Sequence, residues 1–347
     1  MGVFIVAYKI NYNKVNEIIK NLSKEYDVYA PKRFPKQGRY SDTDIIRYDK
    51  IEKVEEIVFD EKSDYPAKEV LSPITQPLFY FTEDEYRESK AKNKKMLILM
   101  RPCDINAMER QDRIYLQNGN FEDFYYKRFR ERVKVALIEC QEGWDTCFCV
   151  SMECNKTDKY DLAIRNENDS LIIDVKDSDL ASYFDGEQTN LDLKFVQENE
   201  LKVTLPNIKN KDILTKLKSH KMWEEYNKRC ISCGACTISC STCTCFTTTD
   251  ISYNENGDVG ERRRTSASCQ VPGFDNMAGG HSFRNTAGDR MRYKVLHKFY
   301  DYKARFKDYH MCTGCGRCMD RCPEFISIVA TVDKMNNAIA EIEKESC

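Results

Sequence analysis

Before residue 220 the sequence alternates continuous apolar runs with helical periodicity, and after it two cysteine-rich runs dominate. The first pattern predicts an α/β domain with a mixed sheet, because short continuous apolar runs are typical of strands buried on both faces. The second region has helical periodicity around its cysteine runs, which predicts a mainly α-helical domain. A chain of 347 residues has room for about two domains. We therefore expect domains over residues 1–220 and 221–347.

The first ninety residues predict short elements separated by turns. Apolar residues spaced three and four apart predict an amphipathic helix over residues 13–24. A strand over residues 26–30 is expected to stop at Pro31, because proline has no N–H to donate to a sheet. Further strands are predicted over residues 3–8, 45–48 and 57–59, and Ser72-Pro73 with Gln76-Pro77 predict a turn before the apolar residues 78–81.

Two apolar strands are each followed by a cysteine. Residues 95–100 and 133–138 are continuous apolar runs; Cys103 follows the first and Cys140 the second. Helical patterns between them, over residues 106–118 and 122–131, complete a strand–helix–strand unit. In open α/β sheets, sites form just outside the carboxyl ends of strands. The sequence therefore predicts cluster-binding loops at this edge of the sheet.

The remaining elements are simpler. The turn residues between two short apolar runs predict a hairpin, and later periodic stretches predict helices. The predicted hairpin spans 160–164 and 170–175, and the predicted helices span 213–226, 290–307 and 326–343, with a turn at 254–257.

Composition restricts the class of protein. The formal net charge of −2 argues against indiscriminate nucleic-acid binding, and neither a secretory signal nor a membrane span is visible. Seventeen cysteines in such a chain indicate metal or redox chemistry rather than disulfides. Because exposed thiolates oxidise in air, we expect a reducing, anaerobic cytoplasm.

Both cysteine-rich runs have the C-x2-C-x2-C-x3-C spacing that binds cubane iron–sulfur clusters. In two-cluster ferredoxins the fourth cysteine of each run binds the cluster of the other run. On that rule the first [4Fe-4S] cluster takes Cys230, Cys233, Cys236 and Cys322, and the second takes Cys312, Cys315, Cys318 and Cys240. The C-terminal domain is therefore predicted to be ferredoxin-like and to move electrons singly.

Two further cysteines and three glycines accompany these runs. Cys243 and Cys245 are surplus, and one of them is a reserve ligand in place of Cys240; the alternative is that both are buried thiols beside a cluster. Gly234, Gly314 and Gly316 remove side chains next to the inorganic core. Zinc is the alternative metal, since C-x2-C pairs also bind structural zinc.

A less regular group of cysteines lies in the N-terminal region. We expect a third [4Fe-4S] cluster there, with Cys154 as a reserve ligand. The first-choice ligands are Cys103, Cys140, Cys147 and Cys149. Bound zinc is the second interpretation, and a thiol–disulfide redox pair is the third. Cys269 and Cys347 have no partner by spacing and are expected to be structural.

A basic strip is expected beside the clusters, where cations stabilise reduced clusters or an acidic partner docks. Its members are Arg262, Arg263, Arg264, Arg284, Arg290, Arg292, Lys294, His297 and Lys298. We find no motif for nicotinamide, flavin or nucleotide, and no catalytic constellation. The chain is thus predicted to be a relay that depends on other subunits for its electron donor and its catalytic centre.

With these motifs in view, the chain resembles the A subunits of anaerobic sulfite reductases and the related β subunits of sulfhydrogenases. The resemblance rests on Arg101-Pro-Cys-Asp104, Cys147-Phe-Cys149, both cysteine runs, and the stretch Arg292–Lys298. The segments 24–31 and 38–44 look more like the sulfite reductase subunit. The family commonly has proline after the cysteine equivalent to Cys240, and Ser241 departs from that.

The resemblance implies a three-subunit, NADH-dependent sulfite reductase. A flavin (FAD) subunit would oxidise NADH, this chain would relay electrons, and a sirohaem subunit would reduce sulfite to sulfide. One alternative is the same relay in a hydrogenase or sulfhydrogenase complex. An alternative of another class is a zinc-organised scaffold subunit.

Overall fold

The computed structural model describes residues 7–89 and 94–345. Twelve strands form two sheets within these ranges. The strands are β1 (Ala7–Asn11), β2 (Tyr26–Phe34), β3 (Ile45–Lys50), β4 (Thr75–Phe81), β5 (Tyr86–Glu88), β6 (Lys95–Met100), β7 (Val133–Ile138), β8 (Leu162–Glu167), β9 (Ser170–Val175), β10 (Glu187–Thr189), β11 (Phe246–Ser252) and β12 (Gly260–Ser266).

Helices connect the strands and make up most of the C-terminal region. The α-helices are α1 (Tyr12–Leu22), α2 (Lys68–Leu71), α3 (Pro102–Leu116), α4 (Phe124–Arg130), α5 (Ser178–Ala181), α6 (Lys211–Lys218), α7 (Tyr226–Arg229), α8 (Ala235–Ile238), α9 (Ala287–Leu296), α10 (Tyr302–Phe306), α11 (Arg317–Asp320) and α12 (Ile328–Glu345). A π-helical turn, His297–Asp301, joins α9 to α10.

The larger sheet is mixed, with the order β10-β1-β9-β8-β7-β6-β2-β3. Its centre is parallel, from β2 through β6 and β7 to β8, and the strands on both flanks are antiparallel. Strands β6 and β7 are parallel neighbours, so Cys103 and Cys140 follow strands that end at the same edge. The predicted mixed sheet of the N-terminal region is confirmed.

The central strands are buried on both faces, as their apolar runs predict. In β6, Leu97 and Leu99 pack in one core with α1, while Ile98 and Met100 pack in another core with α3. A third core joins the C-terminal helices to the loop after β7; it contains Phe148 together with Phe299 and residues of α12. No helix among the described residues combines the length and apolarity needed to cross a bilayer.

Several predicted elements differ from the structure. Strand β2 runs through Pro31, because β3 is its only partner strand beyond Tyr29. On the other edge the carbonyl of Pro31 accepts from the N–H of Val58 at 2.8 Å, and no N–H of residue 31 is needed for a strand pairing. Residues 57–59 form no strand; Ile57 makes one isolated bridge to Lys32. The predicted helix 213–226 is broken into α6, a 3₁₀ turn and α7. Of the predicted strand 3–8, only residues 7 and 8 lie within the described residues, and they belong to β1.

The smaller sheet was not predicted, and it joins the two halves of the chain. It is antiparallel, with the order β11-β12-β4-β5. Pro77 lies inside β4, opposite a register shift in β12, and the predicted turn there is wrong. The C-terminal region is therefore helical apart from the β11–β12 hairpin. The boundary near residue 220 stays a prediction, and hydrogen bonds between β4 and β12 cross it.

Candidate iron–sulfur sites

The two cysteine runs fold into the same local structure twice. The N–H of Ser232 donates to the Sγ of Cys230 at 3.4 Å, and the N–H of Gly314 donates to the Sγ of Cys312 at 3.4 Å. Gly234 (φ 78°) and Gly316 (φ 74°) then hold left-handed conformations and begin the short helices α8 and α11. The backbone amides thus point at sulfur in both copies, which is the arrangement that stabilises thiolates.

One group of cysteines, which we call the distal site, lies at the surface. It comprises Cys230, Cys233, Cys236 and Cys322, which line one cavity. Burial raises the pKa of Cys230, and the neighbouring charges of Cys236, Cys233 and Cys322 raise it further. The N–H of Ile326 donates to the Sγ of Cys322 at 3.3 Å. Cys233 is exposed, in contrast to the other fifteen cysteines of the described residues.

A second group, the central site, is half-buried. It comprises Cys240, Cys312, Cys315 and Cys318. Burial raises the pKa of Cys312 to about 12, with further contributions from Cys315 and Cys240. Burial also raises the pKa of Cys318, which is within electrostatic range of the other three. The structure thus brings Cys240 from the first run to the three cysteines of the second run.

The N-terminal site comprises Cys103, Cys140, Cys147 and Cys149. Cys103 and Cys140 follow β6 and β7, and the loop after β7 brings the other two cysteines to them. Burial raises the pKa of Cys140 to about 11 and that of Cys149 to about 12, and Cys147 adds to both shifts. Burial raises the pKa of Cys103 as well, with Cys149 among the smaller contributors.

The N-terminal site touches the central site through backbone contacts. The N–H of Phe148 donates to the carbonyl of Gly314 at 2.8 Å, and the thiol of Cys147 donates to the carbonyl of Cys315 at 3.8 Å. A Cβ on Gly314 would lie 2.5 Å from the carbonyl oxygen of Phe148, and one on Gly316 would lie 2.3 Å from that of Thr146. These glycines therefore permit the close approach of two cysteine-bearing loops, which their sequence positions did not reveal.

A buried ion pair fixes the same junction. Arg317 donates to both carboxylate oxygens of Asp104 at 2.7 Å, and both side chains are 1% exposed. Arg317 also donates to the carbonyl and hydroxyl of Ser63 at 2.9 Å. Ser241 accepts from Arg317 at 2.8 Å and donates to Asp104 at 3.0 Å, which gives this departure from the family's usual proline a structural role. Sequence reasoning missed the pair, because 213 residues separate its members.

Two buried lysines, one in α9 and one in the π-helical turn after it, lie beside cysteines of these sites. Lys294 donates to the carbonyl of Cys236 at 2.7 Å, and Lys298 donates to the hydroxyl of Thr242 at 2.8 Å. Burial opposes their charge, yet nearby thiolates raise both pKa values; those of Cys236 and Cys318 act on Lys294. Lys294 therefore faces cysteines of both sites. Cations in this position favour the reduced, more negative state of a thiolate-bound cluster.

The rest of the predicted basic strip is divided between several parts of the molecule, so the strip does not form one surface. Arg262, Arg263 and Arg264 lie on β12 and pair with Asp250, Glu261 and Asp123. Arg290 is buried and donates to the hydroxyl of Ser232 at 2.8 Å, and this hydrogen bond holds the loop of the first cysteine run in place. His297 is half-buried, and burial followed by the charge of Lys298 lowers its pKa to about 4.

The surplus cysteines have identifiable partners. Cys154 is fully buried and accepts from Arg110 at 3.2 Å. The thiols of Cys240 and Cys243 hydrogen-bond to each other, as do those of Cys245 and Cys269. Cys269, which has no partner by sequence spacing, lies beside Cys245 because the β11–β12 hairpin brings the two together, and its structural role stays a prediction. The predicted structural role of Cys347 lies outside the described residues.

Comparison with known proteins gives a family match for the segment that carries the two cysteine runs. Residues 229–326 match the family described as the 4Fe-4S dicluster domain. The chain carries a 4Fe-4S dicluster domain. It is also 27% identical to Sulfhydrogenase 2 subunit beta of Pyrococcus furiosus, over 95% of this chain and 98% of that one. The expected relation to sulfhydrogenase β subunits is thus confirmed. No solved structure matches the chain.

The dicluster match also decides the cofactor, which is the [4Fe-4S] cluster as predicted. Within residues 7–89 and 94–345, no three Cys, His, Asp or Glu side chains are placed to hold a single metal ion. The distal and central sites each supply four thiols, with backbone N–H groups already directed at sulfur in both. These residues fit a cubane cluster, whose chemistry is the transfer of one electron at a time.

The N-terminal site fits a cluster on separate grounds. Nη1 of Arg101 and Nδ2 of Asn199 are buried donors without a hydrogen-bond partner in the described structure. The charge of Arg101 acts to lower the pKa of Cys140, and Oδ1 of Asn199 accepts from the thiol of Cys149 at 3.6 Å. Because unpaired buried donors are costly, an acceptor is expected beside each of them. Thiolate and sulfide of a bound cluster would provide one.

Proposed function

We propose that this chain is the electron-relay subunit of a hydrogenase- or sulfhydrogenase-type complex, with clusters arranged in series. The observation that carries the proposal is the order of the three cysteine groups. The N-terminal site contacts the central site through Cys147 and Cys315, and the central site adjoins the distal site at Lys294. A protein that holds one-electron carriers in a row can conduct electrons from one of its ends to the other. The near full-length similarity to a sulfhydrogenase β subunit supports this complex over others.

The ligand sets follow from the groups described above. In this proposal the distal cluster is held by Cys230, Cys233, Cys236 and Cys322, the central cluster by Cys240, Cys312, Cys315 and Cys318, and the N-terminal cluster by Cys103, Cys140, Cys147 and Cys149. Cys243 and Cys245 are left as thiols that contact Cys240 and Cys269. Cys154 is left paired with Arg110, so none of the three reserve cysteines is used.

Metal analysis tests the relay itself. The chain, purified without oxygen, is expected to contain about twelve irons and an equal amount of acid-labile sulfide, since each cubane holds four. Reduction with dithionite should bleach its absorbance and produce electron-spin signals of interacting clusters. A content of about eight irons per chain would mean that only the two clusters of the dicluster domain are present and that the N-terminal cluster is not. Zinc without sulfide would contradict the proposal and support a scaffold.

The N-terminal cluster has its own test. Cys103→Ala should lower the iron content by about four per chain while the signals of the two dicluster clusters persist, because Cys103 belongs to neither of those ligand sets. Cys154→Ala is the matched control, being a buried cysteine of the same region that the proposal leaves without iron. An unchanged iron content in Cys103→Ala would show that the third cluster does not exist.

NADH-linked sulfite reductase is the second candidate complex. It rests on the sequence of segments 24–31 and 38–44, and the comparison supports it less than the sulfhydrogenase context. Isolation of the tagged chain with its natural partners separates the two. A nickel–iron subunit would support the proposal, whereas a sirohaem subunit with an FAD subunit would favour the second candidate. The cytoplasmic location remains a prediction in both.

A further inference from the structure

We propose that the protein which exchanges electrons with this relay docks over the distal site, on an apolar rim formed by Ile231, Val271 and Phe325. The inference rests on the proposed relay function and adds the surface through which electrons enter or leave. The partner it fits is a redox protein that carries its own electron carrier near its surface. We refer to these three residues as the distal rim.

The distal rim surrounds the exposed cysteine. Ile231 lines the same cavity as Cys233, and so do Glu324 and Ile326, the two neighbours of Phe325. Val271 lies against Gly234, where an added Cβ would come within 3.1 Å of its side chain. Phe325 is 81% exposed, Ile231 is 61% exposed and Val271 is 39% exposed. Three apolar side chains therefore stand in water around a cluster ligand.

The backbone holds the rim at some cost. Phe325 has φ 51° and Ser232, beside Ile231, has φ 58°, in the left-handed region that L-residues other than glycine adopt only with strain. The turn at Phe325 places its ring outward while the next amide, that of Ile326, donates to Cys322. Glycine would allow the same turn without strain. The strained turn serves the amide contact with Cys322, whereas the exposure of the aromatic ring to water is the feature that we assign to contact with a partner.

The apolar rim and the exposed cysteine inside it together indicate that the partner is a redox protein. A cluster passes electrons efficiently only to a carrier that comes close, and the distal site is the part of the relay with a cysteine open to solvent. Aromatic residues and a scarcity of charged residues are typical of the core of protein interfaces. Glu324 is the charged residue that lines this cavity beside the rim, together with the buried Lys294.

Phe325→Gly tests the inference without endangering the fold. Because glycine accepts φ 51°, the variant is expected to keep its iron content and to have a thermal midpoint equal to or above that of the wild type. Its affinity for the redox partner, measured with the complex purified anaerobically through a tag on this chain, should fall at least tenfold. Ile231→Ser should lower it further. Reduction of the clusters by dithionite should be unchanged, since that small reductant needs no docking surface.

Phe121→Gly is the matched control. Phe121 is 90% exposed and lies in the loop between α3 and α4, so its loss removes an equally exposed aromatic ring from another part of the chain. Undiminished partner affinity in Phe325→Gly with Ile231→Ser would overturn the inference while leaving the relay intact. A change from dimer to monomer in these variants would also overturn it, because the rim would then join two copies of this chain. A wild-type chain without reducible clusters would instead contradict the proposed function.

Discussion

Cys315→Ala is expected to stop electron flow between the two ends of the relay. Cys315 belongs to the central site, and its neighbours Gly314 and Gly316 contact the loop that carries Cys147 and Cys149. Removal of one thiolate should cost the central cluster, about four irons per chain, and leave a gap between the outer clusters. Because ligand loss is also loss of folding free energy, the C-terminal region should unfold more easily. Iron analysis, electron-spin spectra and a thermal scan would measure these effects.

Cys233→Ala provides the comparison within the same dicluster domain. It should also remove one cluster, but from the exposed end, so the N-terminal and central clusters should still exchange electrons. Their magnetic interaction in the reduced chain should therefore survive in Cys233→Ala and disappear in Cys315→Ala. Equal spectra for the two variants would contradict the series arrangement, because the middle position is what distinguishes Cys315.

Arg317→Met is expected to destabilise the chain by about 3–5 kcal/mol, as for other broken buried ion pairs. The change leaves Asp104 buried with a charge that no longer has its bidentate partner, beside Cys103. It also removes the hydrogen bonds of Arg317 to Ser63 and Ser241. Chemical denaturation under anaerobic conditions would give the loss in free energy of unfolding.

Arg321→Met is the control for that variant. Arg321 lies four residues later and pairs with Asp64 at 3.2 Å, but the side chains are 19% and 28% exposed. Water screens such a pair, so its loss should cost about 0–1 kcal/mol. The double variant Asp104→Asn with Arg317→Met should recover part of the stability, because no uncompensated charge then stays buried. Similar costs for Arg317→Met and Arg321→Met would mean that the buried pair does not hold the junction.

The sequence predicted those parts of the site that depend on local spacing. The swapped pairing, which follows the pattern of two-cluster ferredoxins, assigns Cys322 to the first cluster and Cys240 to the second, and this ligand assignment stays a prediction. The placement of Cys103 and Cys140 at one sheet edge followed from the strand–helix–strand pattern. In contrast, Arg317 and Asp104 are ordinary charged residues in the sequence, and only the tertiary fold shows that they are buried together.

The errors in the fold have a common physical origin. In the sequence, Pro31 and Pro77 predict interruptions, but Pro31 lies where β2 has a partner strand on one side only and Pro77 lies at a register shift, and there a missing N–H has no cost. The β11–β12 hairpin was missed because β11 is largely exposed and lacks an apolar face. Its threonine-rich sequence before the turn at residues 254–257 was the available signal.

The pairing of β4 with β12 has a consequence for how the chain is made. Strand β4 leaves the ribosome roughly 180 residues before its partner β12. At a synthesis rate of roughly 5–20 residues per second, the edge of β4 that pairs with β12 stays unpaired for about 10–35 s. Asp104 likewise has no counter-charge until Arg317 has been synthesised. We therefore expect the nascent chain to acquire its central cluster only near the end of translation, after the C-terminal region has closed onto the sheet.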